Sequence, residues 1–505
     1  MNMALLPSMV AIPLGIAFFT YLLARKSSIL ADILGNLATF SILVISILLI
    51  KTRGVYVIGG WNPPIGINWV LDGLSNLVLV VVALISFAAT IFSTRYMEQY
   101  TARYKYYSLF LLMVGGMNGV ILTGDLFNLF VFLEVASVAS YALVAFGCNH
   151  EELEASFKYL VLSSIGSTLV LFGVAFVYGA TGYLNMASIG GIMATGNQNT
   201  ILTVAAVLFI VGFCIKAALV PFHPWLPDAH PSAPAPISAM LSGVLIKALG
   251  VYALFRILFN VIGLNQLYGT LLIVLGLLSM TVGVFLAVGQ WDFKRLLAYH
   301  SISQMGYVIL GVGLGGYILA TGGSSSVAAL AILGGIFHLA NHAVFKSLLF
   351  LSSGSIEYST GTRQLKEMGG LISIMPVTRT TCSIASLSIA GVPPFNGFWS
   401  KLLIVIAAIQ AGFHAVAGIT ILVSFITLIS FLKVLRYAFL GELPEKLKNI
   451  KESPALMGVA QAILALFCIG MGLLLLPGPR EFLLEPAVNA LIQGVEYARI
   501  VLSGS

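Results

Sequence analysis

Long apolar runs separated by short polar loops recur along the whole chain, each of roughly the 20 residues that a helix needs to cross a bilayer. Hydrocarbon cannot satisfy exposed backbone amides, so runs of this length are read as helices of a multi-span bundle. The pattern predicts about fourteen spans: 4–24, 29–50, 71–94, 106–124, 126–147, 156–182, 200–220 with a continuation past a break, 236–259, 267–289, 294–314, 326–353, 374–410 with a break, 416–438 and 454–477. These are numbered spans 1 to 14 in chain order. The first run contains Pro7 and Pro13 and lacks an obvious small-residue cleavage site, so it is read as a retained span.

Lysine and arginine cluster in the loops Arg25–Lys26, Arg95–Lys105, Lys294–Arg295, Arg363–Lys366 and Lys433–Lys451, all of which follow odd-numbered spans. The positive-inside rule therefore places these loops in the cytoplasm and both termini outside. Lys51 and Arg53 are the main exceptions, beside the connector "GVYVIGGWNPPIGINWVLDG", which is predicted to form a turn or short hairpin on the outer face. The segment "LNMASIGGIMATGNQN" reads as a short surface helix or loop, and the tail from Arg480 to Ser505 as a weakly amphipathic helix.

Composition agrees with this picture: 59% of the 505 residues are hydrophobic, 9% are charged, and the mean hydropathy is +1.02. No soluble domain has that balance. The net charge of +7 comes from residues scattered over short loops, so it reads as orientation rather than nucleic-acid binding. Cys148, Cys214, Cys382 and Cys468 form no CxxC pair, which argues against an iron–sulfur or zinc site and leaves any electrons to another subunit.

An ionisable residue inside a span is costly and marks function by default. Glu134 lies near the middle of span 5, Lys216 in span 7, Lys247 in span 8, and Lys401 just past the break in span 12. Span 11 carries His338, His342 and Lys346 at i, i+4 and i+8, one helical face over roughly 12 Å. Imidazoles titrate near neutrality, and burial without a counter-ion drives a lysine towards its neutral form. The blander readings are snorkelling of Lys346 to a headgroup and a purely structural ion pair for Glu134. HLANH lacks the glutamate of HExxH, so a zincin site does not fit; two histidines on one helix face cannot bracket a haem iron.

The prolines complete the pattern. Pro221 removes an amide beside Lys216, and Pro393 and Pro394, with Gly391 and Gly397, do so near Lys401. Matching interruptions in two halves mark an inverted-repeat transporter. The breaks fall five spans apart, in spans 7 and 12, which divides the chain into 1–105 (spans 1–3), 106–260 (first repeat, spans 4–8), 261–440 (second repeat, spans 9–13) and 441–505 (last span and tail).

The segments "KAALVPFHPWLPDAHPSAPAPISAMLSG", "WDFKRLLAYHSISQMGYVILG", "HLANHAVFKSLLFL" and "GVPPFNGFWSK" resemble the signature segments of the antiporter-like proton-channel family. That family includes the D subunit of Mrp Na+/H+ antiporters and the antiporter-like subunits of complex I and of membrane-bound hydrogenases. The resemblance covers about span 3 to span 13. It implies an all-α membrane fold of fourteen helices with two inverted five-helix repeats and broken helices 7 and 12. It also implies a midplane proton relay of Glu134, Lys216, Lys247, His338, His342, Lys346 and Lys401. His223, Asp228 and His230, at the cytoplasmic edge of the broken helix, read either as entry or gating groups or as residues that structure the turn, and His300 reads as a further entry or gating group.

Lys401 disfavours the complex I member that carries Glu at that position, the tail is too short for the lateral helix of another, and His300 with the "GGWNPPIGI" connector favours the Mrp D type and its hydrogenase or sulfur-reductase homologues. The resemblance further implies no cofactor and no catalytic site in this chain, and a place in a prokaryotic cell membrane. Its partners would be other antiporter-like and small subunits, with either a sodium path or a redox arm in neighbouring subunits and H+ as the carried ion. A self-sufficient solute carrier is the alternative from another class.

Overall fold

The structure, a computed structural model, describes residues 2–196 and 200–503. Among them, twelve helices are long and apolar enough to cross a membrane. Spans 7 and 12 do not qualify because each is interrupted: Thr200–Lys216 is followed by Leu226–Ser232, and Pro376–Ala390 by Asn396–Gln410. Both interruptions stand where proline removes the donor that would continue the helix.

The helices form an inner and an outer group. The most apolar stretch of Ala235–Val261 (span 8) is 100% buried, and those of Phe293–Ala320 and Ser325–Thr360 (spans 10 and 11) are 89% and 83% buried; spans 1 and 2 reach only 33%. Lys247, His338, His342 and Lys346 all sit on that inner group. Span 11 runs seven residues beyond its predicted end, to Thr360, where Gly361 closes it in the left-handed conformation at φ +73°. Lys346 is fully buried in the middle of that helix, which excludes snorkelling to a headgroup.

Small residues set the closest helix approaches, as they do where lipid gives no hydrophobic drive for helix association. A Cβ on Gly250 of span 8 would stand 2.6 Å from the Ala217 nitrogen at the first break. Span 8 itself widens into π-helical turns over Leu241–Tyr252 and Arg256–Val261.

On the face that the charge pattern of the loops assigns to the outside, Gly54–Val57 pairs antiparallel with Asn68–Leu71, the hairpin that the sequence predicts. Asp72 then caps the span 3 helix Gly73–Tyr96 through a capping box with Ser75. It also holds Arg256 at 2.7 Å, which lies over the rings of Tyr252 and Tyr497. Burial would raise the Asp72 carboxyl, but the Arg256 guanidinium and the Ser75 donors outweigh it and hold the carboxyl below its usual range.

The tail is helical over Glu485–Ile492 and Tyr497–Ser503 and is pinned by the Asn260 amide, which donates to the Ala490 and Gly494 carbonyls. Met186–Ala194 forms the short helix anticipated after span 6. Met186, Ile189 and Met193 are buried, so it is a covered element rather than a free surface one. Residues 197–199 of that segment and 504–505 of the tail lie outside the described residues.

Candidate functional site

At the first break, Lys216 is the last residue of its helix and its side chain is 3% exposed. Its ammonium lies 3.6 Å from the Glu134 carboxylate, too long for a direct hydrogen bond but a close ion pair. The donors go instead to Ser137 Oγ at 3.0 Å and Ser163 Oγ at 2.7 Å. Glu134 is 32% exposed at the bundle surface and accepts a hydrogen bond from the Ser167 hydroxyl. The lysine thus has two sets of partners, one charged and one neutral. Backbone freed by the break is not left bare: the Trp225 indole N–H donates to the Ile215 carbonyl and the Val220 N–H to Ser279 Oγ.

Lys247 stands one turn before Gly250, where span 8 touches the break. Its ammonium donates to the Ser242 carbonyl, five residues back, at 2.6 Å. Further along, His342 and Lys346 are fully buried with no hydrogen-bond partner among the described residues. Lys346 lies over the Phe350 ring at 5.7 Å, and the His230 ring packs on the same phenylalanine at 4.7 Å. Lys346 and His230 therefore share one phenylalanine, and all four of Lys247, His342, Lys346 and His230 are buried without a carboxylate ion-pair partner among the described residues. Their charge has to be kept low by sharing few protons.

At the second break, His338 pairs with Ser400 Oγ at 2.9 Å through Nδ1 and with Gln304 Oε1 at 3.2 Å through Nε2. Asn341 donates to the same Ser400 oxygen and to the Asn396 carbonyl. The next residue, Lys401, donates to the Ile389 carbonyl at 2.8 Å and Ser424 Oγ at 3.1 Å, and sits 4.7 Å from the Tyr307 ring centroid. Ile389 lies in the last turn of the first half-helix, whose carbonyl end carries partial negative charge.

The four suspected inlet or gating groups separate. Asp228 lies in a surface network with Lys158 at 3.0 Å and Arg295 at 3.2 Å. His230, expected at the edge of the broken helix, is fully buried, with its ring against Phe350, over which Lys346 also lies. It sits one turn inside the short helix Leu226–Ser232, whose core face is set by Leu226 and Ala229. His223 stays half-buried in the break, and His300 is buried beside Ser430 at 2.8 Å. Sequence reasoning missed the hydroxyls Ser137, Ser163 and Ser400. Ser137 carries a usable signal, being three residues after Glu134 on one helical face. No group of three His, Cys, Asp or Glu side chains capable of holding a metal gathers among the described residues.

Comparison with known proteins follows the same geometry. Residues 123–427, which hold both breaks and every relay candidate, match the family described as NADH:quinone oxidoreductase/Mrp antiporter, TM. Residues 59–107 match the complex I chain 5 N-terminal family. The chain is 34% identical over 477 residues to the Na(+)/H(+) antiporter D subunit of Alkalihalophilus pseudofirmus, covering 93% of this chain and 94% of that one. It is 35% identical over 447 residues to the NADH-quinone oxidoreductase N subunit of Desulforudis audaxviator, covering 86% of each. Its fold superposes on a chain of the Mrp complex from Dietzia sp. with a TM-score of 0.88 at 30% identity, covering 99% of both chains. The chain belongs to the NADH:quinone oxidoreductase/Mrp antiporter transmembrane family.

Proposed function

We propose that this chain is a proton-translocating, antiporter-like membrane subunit of a multisubunit ion-pumping complex in a prokaryotic cell membrane. With the two interrupted helices counted as crossings it has fourteen spans, arranged as two inverted five-helix repeats over 106–260 and 261–440. Protons pass along Glu134, Lys216, Lys247, His342, Lys346, His338 and Lys401, and His223, Asp228, His230 and His300 serve access to that line. The observation that carries this reading is the placement of Lys216 between the Glu134 carboxylate and the two serine hydroxyls, in an otherwise apolar interior.

An ammonium is tolerated there beside a carboxylate. When Glu134 turns away or is neutralised, the remaining charge is costly, and its proton moves on towards Lys247. The chain supplies no redox chemistry; partner subunits supply a sodium path or an electron-transfer reaction. The likeness to the D subunit of a Na(+)/H(+) antiporter favours the Mrp-type assembly. The likeness to the N subunit of a quinone oxidoreductase keeps a complex I-type assembly as the second reading.

Reconstitution tests this directly. The intact complex in liposomes moves protons when supplied with its driving ion or redox couple, whereas the isolated chain is largely inert. A chain that transports a solute unaided would instead be a self-sufficient carrier.

A further inference from the structure

The loops that follow spans 5, 7, 9 and 11 meet around two adjoining cavities of about 600 and 470 Å³, which share Glu151, Ser232, Arg363 and Gln364. By the charge pattern of the loops this face is cytoplasmic, where basic residues are the rule. The cavities reverse that rule: Glu151, Glu152, Glu154, Asp228, Asp292 and Glu357 line them, six of the 18 acidic residues in the chain. Only Lys158, Arg295 and Arg363 oppose them there. Orientation alone would not place a third of the carboxylates of the chain at this spot.

The floor of the vestibule leads inward. Glu357, 26% exposed, holds the ammonium of Lys294 at 2.7 Å, and the Lys294 side chain is only 2% exposed. Lys294 also donates to the Ala233 carbonyl at 3.2 Å, on the loop that leaves the first break. His230 belongs to the same turn, since the Ser238 hydroxyl reaches both the His230 and the Ala233 carbonyls; it is fully buried, both its ring nitrogens are unpartnered, and its ring packs on Phe350, over which Lys346 lies. A buried ion pair that opens on one side to an acidic basin, and on the other to a bare imidazole, is wired for transfer rather than for anchoring.

We propose that this vestibule is the cytoplasmic proton port of the chain, and that the Glu357–Lys294 pair and His230 carry protons between it and Lys346. The inference rests on the relay reading above. Inward, Lys294 passes its proton through intervening water to the neutral imidazole of His230, Glu357 takes one from a hydronium ion of the vestibule and releases water, and the resulting carboxylic acid reprotonates the Lys294 amine. Each step moves one proton and the pair ends as it began; the same steps run in reverse for exit.

The test uses the assembled complex in inverted vesicles, whose cytoplasmic face is outward. The variants are Glu357→Gln, Lys294→Met, Glu357→Gln with Lys294→Met, and Glu357→Asp, with Glu134→Ala alongside and assembly checked on gels. Each single neutralisation lowers proton transport by about tenfold or more, Glu357→Asp keeps most of it, and the double variant stays slow. A merely structural pair behaves otherwise, because removing both partners of a buried ion pair is close to neutral for stability. Recovery of wild-type transport in the double variant would therefore overturn the port, as would normal transport in Glu357→Gln. If a single variant fails to assemble, the double variant, which leaves no unpaired buried charge, decides. Loss in Glu134→Ala with normal rates in the port variants removes the port alone; normal transport in Glu134→Ala removes the relay.

Discussion

The two broken helices neutralise a buried lysine in different ways. At the first break Lys216 precedes the interruption and faces a movable carboxylate at 3.6 Å, with two serine hydroxyls as alternative acceptors. At the second, Lys401 follows the interruption and has no carboxylate partner among the described residues. It is held by the Ile389 carbonyl at 2.8 Å, Ser424 Oγ and the face of Tyr307. A carboxylate on a side chain can rotate or be protonated, whereas a carbonyl at a half-helix end is fixed in the backbone. On the proposed route, the first break changes the charge on its lysine and the second offers a constant, weaker field to a proton that arrives.

The largest expected effect follows from that asymmetry. Glu134→Gln strands a buried ammonium, a loss of the order of 3–5 kcal/mol where one partner of a buried pair is removed, discounted for the exposed edge of the glutamate. Ser424→Ala, which removes one neutral acceptor from Lys401, costs about 1 kcal/mol. Thermal unfolding of the assembled complex compares the two; equal losses would erase the distinction. Next, Ser137→Ala combined with Ser163→Ala takes away the neutral resting place of Lys216 while leaving Glu134 in place. Proton transport then falls about tenfold, with assembly unchanged.

A smaller effect separates the backbones of the two breaks. Gly391 holds φ +80° at the end of Pro376–Ala390, so Gly391→Ala costs about 1–2 kcal/mol through the left-handed conformation. Lys401 loses its alignment with the Ile389 carbonyl, which slows transport without touching the first break. The smallest effect on transport lies far from both breaks. The Asp72 carboxyl is depressed in the folded chain, so its pairing with Arg256 contributes stability above the ordinary carboxylate pKa of about 4 and loses it as pH falls through the lower folded value. The contribution of this pair to the melting temperature of the complex is therefore constant near neutral pH and is lost only on the acid limb; Asp72→Asn lowers the melting temperature at neutral pH and removes that acid dependence.

Much of this site is legible in the sequence because charge inside an apolar run is rare. Glu134, Lys216, Lys247 and Lys401 stand out for that reason, and Pro221, Pro393 and Pro394 mark the breaks because proline cannot continue a helix. The hydroxyls are not legible in the same way. Serine is common in membrane helices, and Ser163 reaches Lys216 from span 6, a pairing set by helix packing rather than by spacing along the chain. The sequence misplaces His230 for a related cause. Its proline-rich surroundings read as a surface turn, but a short helix turns its ring inward against Phe350. Glu357 gives no signal of its own because span 11 outruns the hydrophobic stretch that defines it, carrying the carboxylate to the vestibule floor.

The most direct test of the central claim is proton transport by the intact complex in inverted vesicles, comparing wild type with Glu134→Ala and Lys216→Ala, with assembly verified on gels. The account predicts that both variants assemble and that both lose transport. Normal transport in both would make the pair structural and contradict the proposed route.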